Sequence, residues 1–398
     1  MVQSSTARRT AALAIAAATL GCSGPISLPR PSIPMPDRTP RPPIEADSGA
    51  TAVIARGVVH HALFRRSGPW AIHVLDVDRT ACWTPAAIKR DPTAVGRERV
   101  SDLLARVRTA GDTVAAVNAD FFLFAPPGVP TGAHIDDRRV ITGPGARPVL
   151  TIDSLGRVEM RRLRVAGSVI GRRDTVAITE WNHLPVTRIG VFDERWGVRT
   201  DTSSGTLQVA VGRDGKVLQT VRGANGAGIP RGGWVIAAGR GAPASTRRWL
   251  GALRAGDVVR VRPRITPSLP VDAVGGFPIL VRDSALSPEL EAVNTQNLGR
   301  VRHPRTAVGV SGDGRRLFLV VVDGRQPGHS VGMTLHELAR LMLELGATDA
   351  MNLDGGGSSA MAVRRSEAEA RVVNRPSDAA GERPVGNALA IVKGCMRG

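Results

Sequence analysis

RRLFLVVVDG at Arg315–Gly324, then TLHELARLMLELGA at Thr334–Ala347, then DAMNLDGGG at Asp349–Gly357, is the stretch on which the fold turns. The first piece is an unbroken apolar run closed by aspartate and glycine, the pattern of a strand buried on both faces. The second places Leu335, Leu338, Leu341, Met342 and Leu345 on one helical face. Thr334 with Glu337 three residues on reads as a capping box, and Gly346 as the stop. The third is a short strand. Strand, helix and strand in about 40 residues read as a βαβ unit, with parallel strands and a right-handed crossover.

The consequence is chemical. Asp323 and Asp354 each close a strand and each precede a glycine. Parallel strands end at one edge of a sheet, where open α/β sheets place their ligands. If the strands are neighbours, about 5 Å apart, two carboxylates face one cleft. Glycoside cleavage needs such a pair, one as nucleophile or base and one as acid or anchor. Asp-Gly is also ordinary turn chemistry, so spacing alone leaves a purely structural role open.

Gly355, Gly356 and Gly357, followed by Ser358 and Ser359, add to the functional reading. Three glycines let backbone approach a ligand closely, and consecutive N–H groups can form an anion nest. No lysine follows, so this is not a Walker loop. Ala360 stands where a nucleophile elbow needs its last glycine.

Outward from this stretch, WAIHVLDVD at Trp70–Asp78 reads as a strand and Val100–Ala110 as a helix; VAAVNADFF at Val114–Phe122 reads as a buried strand running into a loop. Between about Pro148 and Pro263 come short strands broken by Gly, Asp and Pro, with turns at Asp214–Gly215 and Ala255–Gly256. The expected fold is α+β: a mixed, twisted sheet carrying the βαβ unit, joined to a mostly antiparallel middle region, in one domain over residues 51–398. With tyrosine absent and aromatics at 3%, its core must rest on Val, Leu, Ala and Ile.

Arg8 and Arg9, the apolar run Ala11–Leu20 and Gly21–Cys22 have the order of a secretory signal in residues 1–22. Cys22 sits as in a lipobox, although Thr19 stands where leucine is usual. Residues 23–50 are proline-rich and read as an extended tether. The expected location is therefore extracytoplasmic, with the chain tethered to the membrane through Cys22 or secreted. Setting Cys22 aside leaves Cys82 and Cys395, an even pair that outside the cytoplasm suggests a disulfide, with two buried thiols as the alternative.

The net charge of +18 is nearly all arginine. The arginines follow no evident stripe and no stacking aromatics lie between them, so no nucleic-acid partner is expected. A positive field still draws anionic substrates or membrane surfaces. The eight histidines show no zinc spacing. Carboxylates could hold a hard divalent cation, but the chemistry requires no cofactor.

Several pieces resemble the phosphodiester glycosidase family, whose bacterial members include exopolysaccharide biosynthesis proteins. They are NADFF (Asn118–Phe122), GGFPILV (Gly275–Val281), PRTAVGV (Pro304–Val310), VVDGR (Val321–Arg325), GMTLHELA (Gly332–Ala339), NLDGGGSSAM (Asn352–Met361), and VVNRPSD with GERPVGNAL (Val372–Leu389). Carried over by position, the resemblance implies a cleft lined by Asn118, Asp120, Arg305, Thr306, Asp323, Arg325, Asp354, Ser358, Ser359, Asn374, Asp378, Glu382 and Arg383. Within it, Asp354 is the first choice for nucleophile or base and Asp323 the second, with Glu382 as partner acid. Arg305 and Arg325 are the expected phosphate clamps. The glycine run with Ser358 and Ser359 would hold further phosphate oxygens, and Asn118 a sugar hydroxyl or amide.

The expected activity is hydrolysis of a sugar-1-phosphodiester in an envelope polysaccharide or glycolipid. A non-catalytic sugar- or phosphate-binding lipoprotein using the same cleft is the alternative.

Overall fold

The computed structural model describes residues 43–107, 112–200, 207–223, 226–364 and 369–396. The signal sequence, Cys22 and the tether up to residue 42 lie outside them. Folded chain begins ahead of the expected Thr51: the first strand is Ser48–Ala55, and Ile44 is buried in a core cluster.

The protein is largely β. Its main sheet has eight strands, in spatial order Ser48–Ala55, Val58–Arg65, Trp70–Asp78, Arg316–Val322, Arg305–Val310, Asp349–Asn352, Ile279–Arg282 and Ala285–Leu286. Alternation along Arg316–Val322 sends Leu317, Leu319 and Val321 to one core and Phe318, Val320 and Val322 to the other. On the second face lies the helix Leu335–Glu344, which buries Leu335, Leu338, Leu341 and Met342. Its start is the expected capping box: Glu337 N–H donates to the Thr334 hydroxyl at 3.1 Å, and Thr334 N–H to the Glu337 carboxylate at 2.8 Å.

On the first face a five-stranded sheet stacks, in the order Arg371–Val372, Met361–Val363, Thr113–Asn118, Ala388–Lys393 and Trp83–Ile88. The short helix Val100–Arg106 covers its outer side through Val100, Leu103 and Leu104. The layers thus run helix, sheet, sheet, helix. Cys82 and Cys395 are bonded to each other across 313 residues, tying the start of Trp83–Ile88 to the end of Ala388–Lys393.

The middle region folds as expected into antiparallel pieces. Leu207–Val211 and Val217–Arg222 form a hairpin through the Asp214–Gly215 turn, and the sheet is completed by Trp234–Ala238, Ile189–Phe192 and Glu180–Trp181, the last pairing in parallel. A separate three-stranded sheet joins Thr175–Ala177, Arg164–Ile170 and Arg260–Thr266.

The βαβ unit is not formed as expected. Arg316–Val322 and Asp349–Asn352 run in the same direction, but Arg305–Val310 lies between them and pairs antiparallel with both. The cause is local. Ser311–Gly314 is a tight turn, with Gly314 N–H on the Ser311 carbonyl and Gly314 at φ +68. That hairpin gives Arg316–Val322 its neighbour before the helix returns the chain to the sheet. Asp323 and Asp354 therefore share an edge, but two strand spacings apart, about 10 Å rather than 5.

Candidate active site

The intervening strand carries the site to a different place. Arg305 opens it, opposite Val322 on one side, while on the other the Leu353 N–H donates to the Thr306 carbonyl at 2.8 Å. The Asp354 N–H then crosses to the stacked sheet and donates to the Ala119 carbonyl at 2.8 Å. Asp354 is thus fixed where the ends of two sheets converge, and the NADFF loop is brought alongside it.

Asn118 is the clamp at this junction. Its amide oxygen accepts from the Thr306 hydroxyl at 2.8 Å and Ala360 N–H at 3.1 Å; its nitrogen donates to the Asp354 carbonyl at 2.6 Å. Asn118 and Thr306 are fully buried. They position Asp354, and the sugar contact expected of Asn118 is not available.

A cleft of about 240 Å³ opens beside Asp354, lined also by Arg305, Arg325, Arg383 and Gly355, Gly356 and Gly357. The glycine run is a tight 3-10 turn over Gly356–Ser358 rather than an open nest. Gly355 N–H donates to its neighbour's carboxylate, Gly356 N–H to the Pro304 carbonyl, and the Ser358 and Ser359 N–H groups back into the turn. Close approach explains the composition. A Cβ on Gly357 would sit 2.1 Å from Asp378 Oδ1 and 2.2 Å from an Arg383 nitrogen, and Gly356 holds φ +64. Arg383 and Asp378 form a bidentate pair at 2.7 and 3.0 Å across this turn.

The electrostatics single out two carboxylates. Burial pushes Asp354 up to about 6, against the Ser358 hydroxyl, the Gly355 N–H and the Arg383 and Arg147 charges, which hold it down. Asp120 is pushed up to about 7, first by burial; Gly132 N–H and Arg147 oppose this, and the Asp354 charge adds to it. One Asp120 oxygen takes the Gly132 N–H at 2.6 Å, whereas Oδ1 is buried without a partner among the described residues. Asp120 therefore senses the neighbouring Asp354 carboxylate, whose charge favours a proton on Asp120.

Asp323 is placed differently. It is 1% exposed, and its carboxylate accepts from His329 at 2.9 Å, from the Asn374 side chain at 3.0 Å and from Arg375 N–H at 3.1 Å. Asn374 in turn ties down Ser359 and Met361. Both residues pin the loop behind the serines and neither lines the cleft. Glu382 is also turned away, accepting from Ser101 N–H at 2.9 Å and from its hydroxyl at 2.5 Å, where it caps the helix Val100–Arg106. Ser358 and Ser359 are buried and neither lines the cleft; among the described residues neither hydroxyl meets a partner in hydrogen-bond geometry, although Ser358 lies close enough to Asp354 to hold its carboxylate down.

Cations surround the cleft. Arg305 is buried, donates to the carbonyls of Met333, Leu298 and Val301, and is pushed down to about 10 by burial and then by Arg325. Arg325 is exposed and donates to Nδ1 of His303 at 3.1–3.3 Å. His303 is held below its usual range by burial and by both arginines. Accepting at Nδ1, the neutral imidazole carries its proton on Nε2. Neither Arg305 nor Arg325 has a carboxylate partner among the described residues.

Five participants lay outside the sequence reading. Phe121 and Asn352 line the cleft from inside NADFF and NLDGGGSSAM, and His303 directly precedes PRTAVGV; their motifs were the signal. Leu298 and Arg147 had none. Arg147 is wedged between the Phe121 and Phe277 rings, at 4.8 and 5.7 Å from their centres, and donates to the Thr131 hydroxyl at 2.8 Å.

The phosphodiester glycosidase family model matches residues 205–392, which carry Arg305, Arg325, the Asp354 turn and Arg383. That span is similar to the phosphodiester glycosidases. Asn118, Asp120 and Arg147 reach this site from outside the matched span.

A Bacillus subtilis strain 168 protein, the SPbeta prophage-derived uncharacterized protein YomE, is 39% identical over 112 residues, or 28% of this chain and 16% of that one. A hypothetical protein from Synechocystis superposes with a TM-score of 0.72 at 22% identity, over 87% of this chain and 64% of that one. The chain thus spans less than two thirds of either relative. A Burkholderia pseudomallei K96243 protein, named for its expected export, superposes with a TM-score of 0.64 at 27% identity, over 84% and 76%. Among the described residues no helix is long and apolar enough to cross a membrane.

Proposed function

We propose that this protein is an extracytoplasmic hydrolase that cleaves a sugar-1-phosphodiester at the anomeric C–O bond, acting on an envelope polysaccharide or glycolipid. The observation that carries the reading is one carboxylate, Asp354, raised to about 6 at the wall of a cleft that Arg305, Arg325 and Arg383 also line. The guanidiniums suit the phosphate, and Arg305 and Arg325 have their charge unspent on any carboxylate. Asp354, ionised, attacks the anomeric carbon or takes the proton of the water that does. The anomeric C–O bond breaks and the phosphomonoester leaves with its electron pair; where Asp354 attacked, water then cleaves the glycosyl ester and frees the sugar. Asp120, protonated up to about 7, takes the place expected for Asp323 or Glu382 as the neutral partner. The Burkholderia relative's name and the signal-like N-terminus support export, with Cys22 as the lipid attachment point.

The test is release of reducing sugar from a panel of sugar-1-phosphodiesters by the full chain, with and without EDTA. Asp354→Asn should abolish release and retain binding. Binding without release by the native protein, across the panel, would replace the hydrolase with a sugar-phosphate-binding protein.

A further inference from the structure

We infer that the three-stranded sheet of Arg164–Ile170, Thr175–Ala177 and Arg260–Thr266, with the cavity at its end, binds an anionic glycan. Arg260, Arg262 and Arg264 alternate on the strand and are all exposed, so their side chains form one row on the solvent face with a pitch of about 6.6 Å. The sequence looked free of such a stripe because Val261, Pro263 and Ile265 interleave with it; Val261 faces the core beneath.

Register explains why the row is open. Arg262 lies opposite Ser168, and Arg264 opposite Ala166, side chains too short to pair with a guanidinium or cover it. On the next strand Ala177 stands beside Ser168. No carboxylate lies within ion-pair distance of these three arginines, among the described residues. Elsewhere on this surface arginines such as Arg65, Arg302 and Arg316 are paired.

The row runs into a cavity of about 790 Å³ whose walls include Arg172, Arg173, Arg260, Trp249, Leu253 and Val258. Arg172 and Arg173 project from the hairpin loop closed by the Gly171 N–H on the Asp174 carbonyl. The indole lies against Gly171, where a Cβ would sit 2.6 Å from Cζ2 of Trp249. Asp174 and Asp257 also line the cavity, and Asp257 is engaged by the Arg254 N–H at 2.7 Å. An indole wall beside several guanidiniums suits a sugar ring bearing carboxylate or phosphate groups, with the chain continuing along the row. Nucleic acid asks for a series of aromatic platforms, and here there is one.

The assay is affinity electrophoresis of the full chain through gels containing alginate, neutral dextran or poly(dT). Retardation by alginate and not by dextran is expected. The R260Q/R262Q/R264Q variant should lose about tenfold in apparent affinity, the scale of three exposed charge contacts. Trp249→Ala should weaken alginate binding while leaving any poly(dT) binding less affected. Asp354→Asn, which alters only the catalytic cleft, should migrate as the native protein, so this inference and the hydrolase reading fail separately. Equal retardation of native and triple variant would overturn the inference, as would equal retardation by dextran or stronger retardation by poly(dT). Should the triple variant not fold, Arg262→Gln alone carries the same comparison.

Discussion

Replacing Asp120 by asparagine tests the carboxylate pair most directly. Asp354 must be ionised and Asp120 neutral, with apparent values of about 6 and about 7. The share of protein in that state peaks near pH 6.5 and is lower by roughly sixfold at pH 5 and again at pH 8. The native rate profile should therefore be a narrow bell. Asp120→Asn should lose the alkaline limb and keep the acid one.

Stability gives an independent reading of the same group. A carboxyl raised in the folded state loses its proton first in the unfolded chain. The unfolded state then binds fewer protons between about pH 4 and 7, and stability falls as pH rises through that window. For a group moved from 3.8 to about 7, the loss between pH 5 and pH 8 is on the order of 3 kcal/mol. Denaturant unfolding at the two pH values measures it. The native protein should lose stability across the interval, and Asp120→Asn should lose less by about that amount. A variant with the native protein's pH dependence, in rate and in stability, would refute the assignment of Asp120.

Three further outcomes follow from packing. Gly357→Ala should separate the Asp378–Arg383 pair, costing about 1–3 kcal/mol and most of the activity; unfolding and kcat on the same preparation decide it. Thr334→Ala removes one half of the capping box and should cost about 1 kcal/mol, a melting shift of about 1–2 °C in a chain of this size. Removing the Cys82–Cys395 link releases a closed loop of 313 residues, which the chain-entropy account puts at about 6 kcal/mol as an upper figure; Cys82→Ser with alkylation-mass analysis checks both the bond and its worth.

What could be read in advance was what short-range rules govern. The helix Leu335–Glu344 carries its start, stop and buried face in its own residues, and so does the hairpin at Asp214–Gly215. Motif order grouped residues that the fold brings together: Asp354, Arg305, Arg325 and Arg383 line one cleft. What stayed hidden was which strand lies beside which. Arg305–Val310 reads as a strand, but nothing local says it enters between its two neighbours. That insertion separates Asp323 from Asp354 and leaves the junction with Ala119 to supply the partner. Glu382 was misread for a related reason: a carboxylate in a conspicuous motif caps a helix nearly 300 residues earlier.

The last regular strand, Ala388–Lys393, lies inside the second sheet, hydrogen-bonded to Thr113–Asn118 on one side and Trp83–Ile88 on the other. Until it arrives, both neighbours expose an open edge, and Cys82 has no partner. The layer that carries Asn118 and Asp120 is therefore incomplete until residues 388–393 have been made and paired. Contacts so distant in sequence make for slow folding. They also make two features depend on the same stretch: without residues 388–395 the second sheet lacks an inner strand and Cys82 lacks its partner.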